Sequence, residues 1–283
     1  MKIVLVTAAA LFAFLGPGCG GGESARGKGK ARVVAAFYPL AYAARELGGS
    51  RVAVDDLTPP GAEPHDLEVS PDDVQRIRSA DLVLLLGHGF QPQLEAAAGG
   101  GSTVLALLDT RGLSLRSNGD PHVWLDPLRY ALIVERIGAA LHAEQAAGRL
   151  VTRLRGLDRE YRSGLSRCAR REVVTTHEAF AYLAQRYRLK QIAITGLSPE
   201  AEPAPRDLRH VVELVRRTGA TTVFVETLAS PRIARTVARE TGARTAVLDP
   251  LEGLTPTEAK RGEDYFSLMR ANLATLRQAL GCR

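Results

Sequence analysis

Short continuous apolar runs, each followed by a stretch of helical periodicity, constrain this chain more than any other feature. Val33-Val-Ala-Ala-Phe, Val52-Ala-Val-Asp-Asp-Leu, Leu82-Val-Leu-Leu-Leu and Thr103-Val-Leu-Ala read as strands, and the pattern resumes near Val173–Thr175, Gln191–Ile194, Thr222–Glu226 and Thr245–Leu248. Runs that are apolar throughout rather than alternating suit parallel strands buried on both faces. Helical patterns fill the gaps, near Pro39–Leu47, Pro71–Ser79 and Gln91–Ala98 in the first half. In the second half they lie near Ala179–Tyr187, Pro205–Arg217, Pro231–Thr241 and Tyr265–Leu280. Several open with proline, whose fixed φ and missing N–H suit a first helical turn. The pattern predicts an α/β protein of two parallel-sheet lobes, residues 32–126 and 172–283.

Between the lobes, residues 127–171 lack proline after Pro127, and Val151, Leu154, Leu157, Tyr161 and Leu165 recur at three- and four-residue intervals. One apolar stripe of that kind is a helix packing on a core. The segment therefore reads as a long helix, or two in succession, acting as a rigid connector instead of a glycine-rich hinge.

The first nineteen residues carry Lys2, an apolar stretch from Ile3 to Leu15, and Gly16-Pro-Gly-Cys19. This is the layout of a secretory signal, and the apolar stretch falls short of the roughly 20 residues a membrane span needs. Residues 1–19 are read as a lipoprotein signal with Cys19 as the acylated residue, ordinary secretory cleavage being the alternative. Residues 20–31, rich in glycine and lysine, form a flexible tether. An extracytoplasmic, lipid-anchored location follows. Cys168 and Cys282 remain as the other two cysteines, and in an exported chain they are expected to pair, with two free thiols as the alternative. The formal charge of +6 becomes +5 once Lys2 is removed. With arginines interleaved among acids, this argues against nucleic acid as a partner.

In parallel α/β sheets, ligands collect outside the carboxyl ends of strands. His177 directly follows a strand, His65 lies in the loop after another, His122 precedes the segment leading out of the first lobe, and Asp249 follows the last strand. Two candidates come from each lobe, so the cleft between lobes is their natural meeting place. Three imidazoles and a carboxylate are a four-donor set suited to zinc. Each residue also has a local explanation, Asp249 before Pro250 being an ordinary turn residue, and the long spacings alone do not single out a metal site. Glu63 can approach the metal, bond to a ligand ring, or lie in a solvated turn. His142 and His210 fall on helices and read as incidental; His88, after a strand, is a spare candidate.

Gly61-Ala-Glu-Pro-His, Asp120-Pro-His-Val-Trp-Leu-Asp-Pro, Thr176-His-Glu-Ala-Phe-Ala-Tyr-Leu, Gly196-Leu-Ser-Pro-Glu-Ala-Glu-Pro and Leu248-Asp-Pro-Leu-Glu occur in this order. Together they resemble the successive motifs of the zinc/manganese solute-binding proteins of ABC importers. The resemblance implies two α/β lobes joined by a long helix, with His65, His122, His177 and Asp249 as metal ligands. It implies delivery of metal to a membrane permease, and a monomer to which a metallochaperone is a conceivable donor. His177, where manganese-binding relatives usually carry glutamate, favours zinc over manganese. The stretch from Ala106 to Asp120 departs from many zinc members in having no histidine-rich loop.

An enzyme is the contrasting reading. His177-Glu178 matches the start of the zinc-protease helix motif, but Ala181 stands where the second histidine belongs. Four protein donors would also fill the shell in which a catalytic zinc keeps a position for water. A non-enzymatic binding protein is therefore expected, with a metal-binding adhesin or structural surface lipoprotein as the alternative.

Overall fold

The computed structural model describes residues 29–99 and 102–283. The expected signal with Cys19, and all but the last residues of the expected tether, lie outside the described residues. The first lobe is built from β1 (Ala31–Ala35), α1 (Tyr38–Gly48), β2 (Val52–Asp56), α2 (Pro71–Ser79), β3 (Leu82–Leu85), α3 (Pro92–Ala97) and β4 (Thr103–Ala106). The second contains β5 (Glu172–Thr175), α6 (Ala181–Tyr187), β6 (Lys190–Ala193), α7 (Pro205–Thr218), β7 (Thr222–Val225), α8 (Arg232–Thr241) and β8 (Arg244–Val247), then α9 (Pro256–Arg261) and α10 (Tyr265–Leu280). Both sheets are parallel, ordered β2-β1-β3-β4 and β6-β5-β7-β8. Each therefore reverses its winding between its first and third strands, which opens a crevice at the carboxyl ends of β1/β3 and of β5/β7.

Local chemistry explains the boundaries. Ser70 and Asp73 form a reciprocal capping box at the start of α2, as Asp264 and Ser267 do for α10, each satisfying backbone N–H groups that the first turn leaves free. The central strand β3 is buried along its whole length, whereas the edge strands β4 and β8 leave Val104 and Val247 exposed. The short α9, with its own Thr255–Glu258 capping box, is an addition to the helices read from the sequence.

The connector takes the second of its two expected forms, helices in succession: α4 (Pro127–Ala140) and α5 (Glu144–Gly164). They fold back on each other around His142, whose φ of 49° makes the turn. At their contact a Cβ on Gly138 would come within 2.6 Å of the Ala147 Cβ, so glycine sets how closely they approach. The larger core runs without a break from β1 and β3 through α4 and α5 into α6 and α10. A smaller core around Val174, Val215, Val223 and Val237 fills the space between the second sheet and α7/α8. Cys168 and Cys282 form a disulfide that ties the chain just after α5 to the residue just beyond α10.

Candidate metal centre

Four segments deliver the side chains that meet between the sheets. A single 3-10 turn, Pro64–Asp66, follows β2 and carries His65, whose N–H donates to Glu63 Oε1 at 3.2 Å. His122 caps the 3-10 turn Val123–Leu125 just before α4. His177 lies two residues beyond β5, and Glu226 immediately follows β7, so the two flank the crevice of the second sheet. Beyond β8 the chain turns sharply through Leu251, at φ 54°, and presents Glu252.

Glu252 Oε1 lies 3.3 Å from His65 Nε2, 3.1 Å from His122 Nε2 and 3.4 Å from His177 Nε2, and the two latter nitrogens are 3.3 Å apart. All four donor atoms fall within 4.8 Å of one another. A tetrahedral ion with ligand bonds of about 2.0 Å spaces its donors by about 3.3 Å, so most of these separations already match a shared ion.

Carboxylates behind the rings fix their orientation. His122 Nδ1 is 2.8 Å from Asp120 Oδ1, and His177 Nδ1 is 2.7 Å from Glu226 Oε2. Each carboxylate also accepts the backbone N–H of its own histidine, at 3.0 and 3.1 Å. With Nδ1 protonated against a carboxylate, Nε2 turns its lone pair inward, as ligation requires. Two such lone pairs at 3.3 Å repel unless a proton or a cation lies between them.

The carboxylates around both rings favour their charged forms. Burial opposes a charged ring at His177, but the hydrogen bonds and charges of Glu226 and Glu252 outweigh it and push the ring up to about 10. His122 is raised in the same way by Asp120 and Glu252 against the cost of its burial. Glu252, although fully buried, is held well below the ordinary carboxylate range by its bonds to the three imidazoles. Burial and the charge of Glu252 push Glu63 the other way, to about 8.

Of the residues expected from sequence, His65, His122 and His177 come together, while Asp249 does not join them. Its Oδ1 accepts the Leu251 N–H at 2.7 Å, and the residue lies outside the cluster of donors. Glu252, the last residue of the same Leu248-Asp-Pro-Leu-Glu motif, takes the fourth position. A signal for this was present: an aspartate before proline commonly accepts its own i+2 N–H, which leaves the glutamate three residues on free to reach inward. Glu63 bonds to the backbone of His65, not to a ring. His142 and His210 are exposed, and His88 is an exposed partner of Asp109 at 2.8 Å, outside the cluster. His88 does border a cavity of about 200 Å³ that reaches His65. Of the four donors His65 alone has appreciable side-chain exposure, 12% against 0–1% for the others, so solvent reaches the site from its side.

The family model described as zinc-uptake complex component A, periplasmic, matches residues 33–279. The zinc-binding protein AdcA of Streptococcus pyogenes is 33% identical over 288 residues, a match covering 88% of this chain and 56% of that protein. This chain thus spans little more than half the length of the streptococcal AdcA relatives. The high-affinity zinc uptake system protein ZnuA of Bacillus subtilis is 32% identical, with 91% of this chain and 90% of that protein covered. Among solved structures, the Zn(II)-bound ZnuA-like domain of Streptococcus pneumoniae AdcA superposes with a TM-score of 0.77 at 35% identity, covering 89% of this chain and 99% of that one. The laminin-binding protein Lmb of Streptococcus agalactiae, described as an adhesin with metal-transporting activity, gives 0.82 at 30% identity, covering 89% and 100%. By sequence match and by fold, this chain belongs to the family of periplasmic zinc-uptake component A proteins.

Proposed function

We propose that the protein captures one zinc ion outside the cytoplasm through His65, His122, His177 and Glu252 and hands it to an ABC-type membrane permease. The observation that carries this reading is the convergence of three Nε2 atoms and one carboxylate oxygen within 4.8 Å, at spacings most of which match a tetrahedral ion. Zinc is favoured over manganese because three of the donors are imidazoles. Four protein donors leave no position for an activated water, which supports a binding protein and not an enzyme. We further place the two lobes at residues 32–126 and 172–283 around the connector 127–171, with Cys19 as the lipid anchor.

Calorimetry on metal-stripped protein tests the reading. One zinc per chain should bind, with loss in His177→Ala and no change in His142→Ala; equal binding in all three rejects the site. Growth of a deletion strain under zinc limitation, set beside its adherence to laminin, separates transport from the adhesin role named for the S. agalactiae relative.

A further inference from the structure

α10 presents an apolar face to the core, with Tyr265, Met269 and Leu276 fully buried, and Asn272 interrupts it while being only 3% exposed. An amide in such a place costs stability unless its polar atoms are satisfied, and an aliphatic side chain would fill the volume without that demand. Both ends of the Asn272 amide are used, and on the same residue. Asp249 N–H donates to Asn272 Oδ1 at 2.9 Å, and Asn272 Nδ2 donates to the Asp249 carbonyl at 2.7 Å.

The position of this clamp matters. Leu248 N–H makes the last bond of the departing strand, to Val225 O at 3.0 Å. Asn272 takes over at the next residue and holds the backbone where the ladder stops. Two more contacts fix the same turn: Trp124 Nε1 donates to Pro250 O at 2.8 Å, and Leu251 N–H donates to Asp249 Oδ1 at 2.7 Å. The left-handed Leu251 lies within this anchored stretch, and Glu252 leaves it pointed at the rings. Seven residues before Asn272 on α10, Tyr265 OH donates to Trp124 O at 2.7 Å, two residues beyond His122. A spacing of seven returns to nearly the same side of a helix. One side of α10 therefore grips both the segment bearing His122 and the segment bearing Glu252.

We propose that Asn272 is a positioning residue for metal capture: by clamping the backbone of Asp249 it sets the turn that aims Glu252 at the three imidazoles. The proposal rests on the reading of these four residues as the zinc site. Asn272 touches no metal; it acts through Glu252, which makes a specific prediction about coupling.

Zinc affinity, measured by competition with a chromophoric chelator, is compared for the parent, Asn272→Ala, Glu252→Ala and the double variant. Losing an outer contact of this kind costs about 10- to 100-fold in affinity, and that is the loss expected for Asn272→Ala in the parent. In the Glu252→Ala background the same change should have almost no effect, because the ligand it positions is gone. Cobalt(II) substitution gives an independent readout: the visible bands of the four-coordinate ion should weaken in Asn272→Ala. Asn272→Asp preserves volume and the acceptor but loses the donor to the Asp249 carbonyl, and it carries the test should the alanine variant not fold. Parent-like affinity and cobalt spectrum in both Asn272 variants, or an equal loss in the presence and absence of Glu252, overturns the positioning role while leaving the zinc site intact. A parent protein that binds no zinc removes the proposal together with the reading beneath it.

Discussion

Glu252 Oε1 lies 3.1 Å from His122 Nε2, although the two residues come from different lobes and are 130 positions apart in the chain. Their meeting makes the carboxylate the bridge of the site, since the same oxygen also faces His65 and His177. Asp249, three residues earlier, spends one carboxylate oxygen on the turn.

Exchanging these two carboxylates should therefore give different outcomes. Glu252→Ala removes a donor and should lower zinc affinity by at least the 10- to 100-fold typical of losing even an outer contact. Asp249→Asn keeps an oxygen able to accept the Leu251 N–H, so a smaller loss of affinity is expected. Titration of zinc into both metal-stripped variants checks this, and a greater loss in Asp249→Asn would return the fourth ligand to Asp249.

Several groups in and beside the centre, His122 among them, shift in the same sense. His177 is pushed up to about 10 by Glu226 and Glu252 against its burial, and burial pushes Glu63 up to about 8 and Asp249 to about 7. Each raised value means that the folded state binds more protons than the unfolded one, so stability falls as pH rises. For His177 the favourable contribution is complete below its unfolded value of about 6.5 and is lost as pH climbs through about 10. Zinc requires neutral rings and prefers the opposite end of the range. The melting temperature of metal-free protein should thus drop between pH 6 and pH 9, while the increment due to zinc grows; thermal melts with and without zinc at several pH values measure both.

How much of the site could be read in the sequence depended on the range of the interactions. His65, His122 and His177 each lie in short motifs near strand ends or helix starts, and the order of those motifs, through the family they resemble, marked them as candidates where spacing alone did not. Glu252 in place of Asp249 was only partly local: beside the Asp249–Leu251 turn bond, the segment is held by Asn272, 23 residues from Asp249, and by Trp124 from the other lobe. Glu226 was hidden for a related reason. It pairs with His177 only because β7 lies beside β5, a neighbourhood set by strand order and not by adjacency in the chain. The eight strands and most helices follow from apolar patterning, whereas α9, six residues long, is too short for a helical period to register. The fold-back of the connector depends on one left-handed residue, His142, and one close approach, at Gly138; a periodic stripe carries neither.

The Cys168–Cys282 bond closes a sequence separation of 114 residues. Restricting an unfolded chain over that length stabilises the fold by about 4 to 5 kcal/mol in the chain-entropy account. The Cys168→Ser/Cys282→Ser double variant should melt well below the parent and should match the parent melted in reductant. Thiol titration of denatured, unreduced mature protein should find neither cysteine free.

Membrane attachment through Cys19 predicts that wild-type protein sediments with membranes and that Cys19→Ser releases it. Small residues before the cysteine and a glycine-rich stretch after it motivate the expectation. A wild-type protein found wholly in the soluble fraction would leave ordinary secretory cleavage as the account.

His177 offers the most direct control over which metal the site prefers. Its Nε2 is one of three imidazole donors, and its Nδ1 is held by Glu226 at 2.7 Å. Replacing it with glutamate substitutes a harder oxygen for nitrogen, which should shift preference from zinc toward manganese. The same change places a second carboxylate beside Glu252 and near Glu226, so like charges crowd the metal-free site and should destabilise it. Manganese binding should therefore raise the melting temperature of His177→Glu by more than it raises that of the parent, while the increment from zinc shrinks. Melting curves of both proteins with each metal, at one pH and one metal concentration, give the four increments needed. An unchanged ratio of zinc to manganese stabilisation would mean that the other three donors set selectivity without His177.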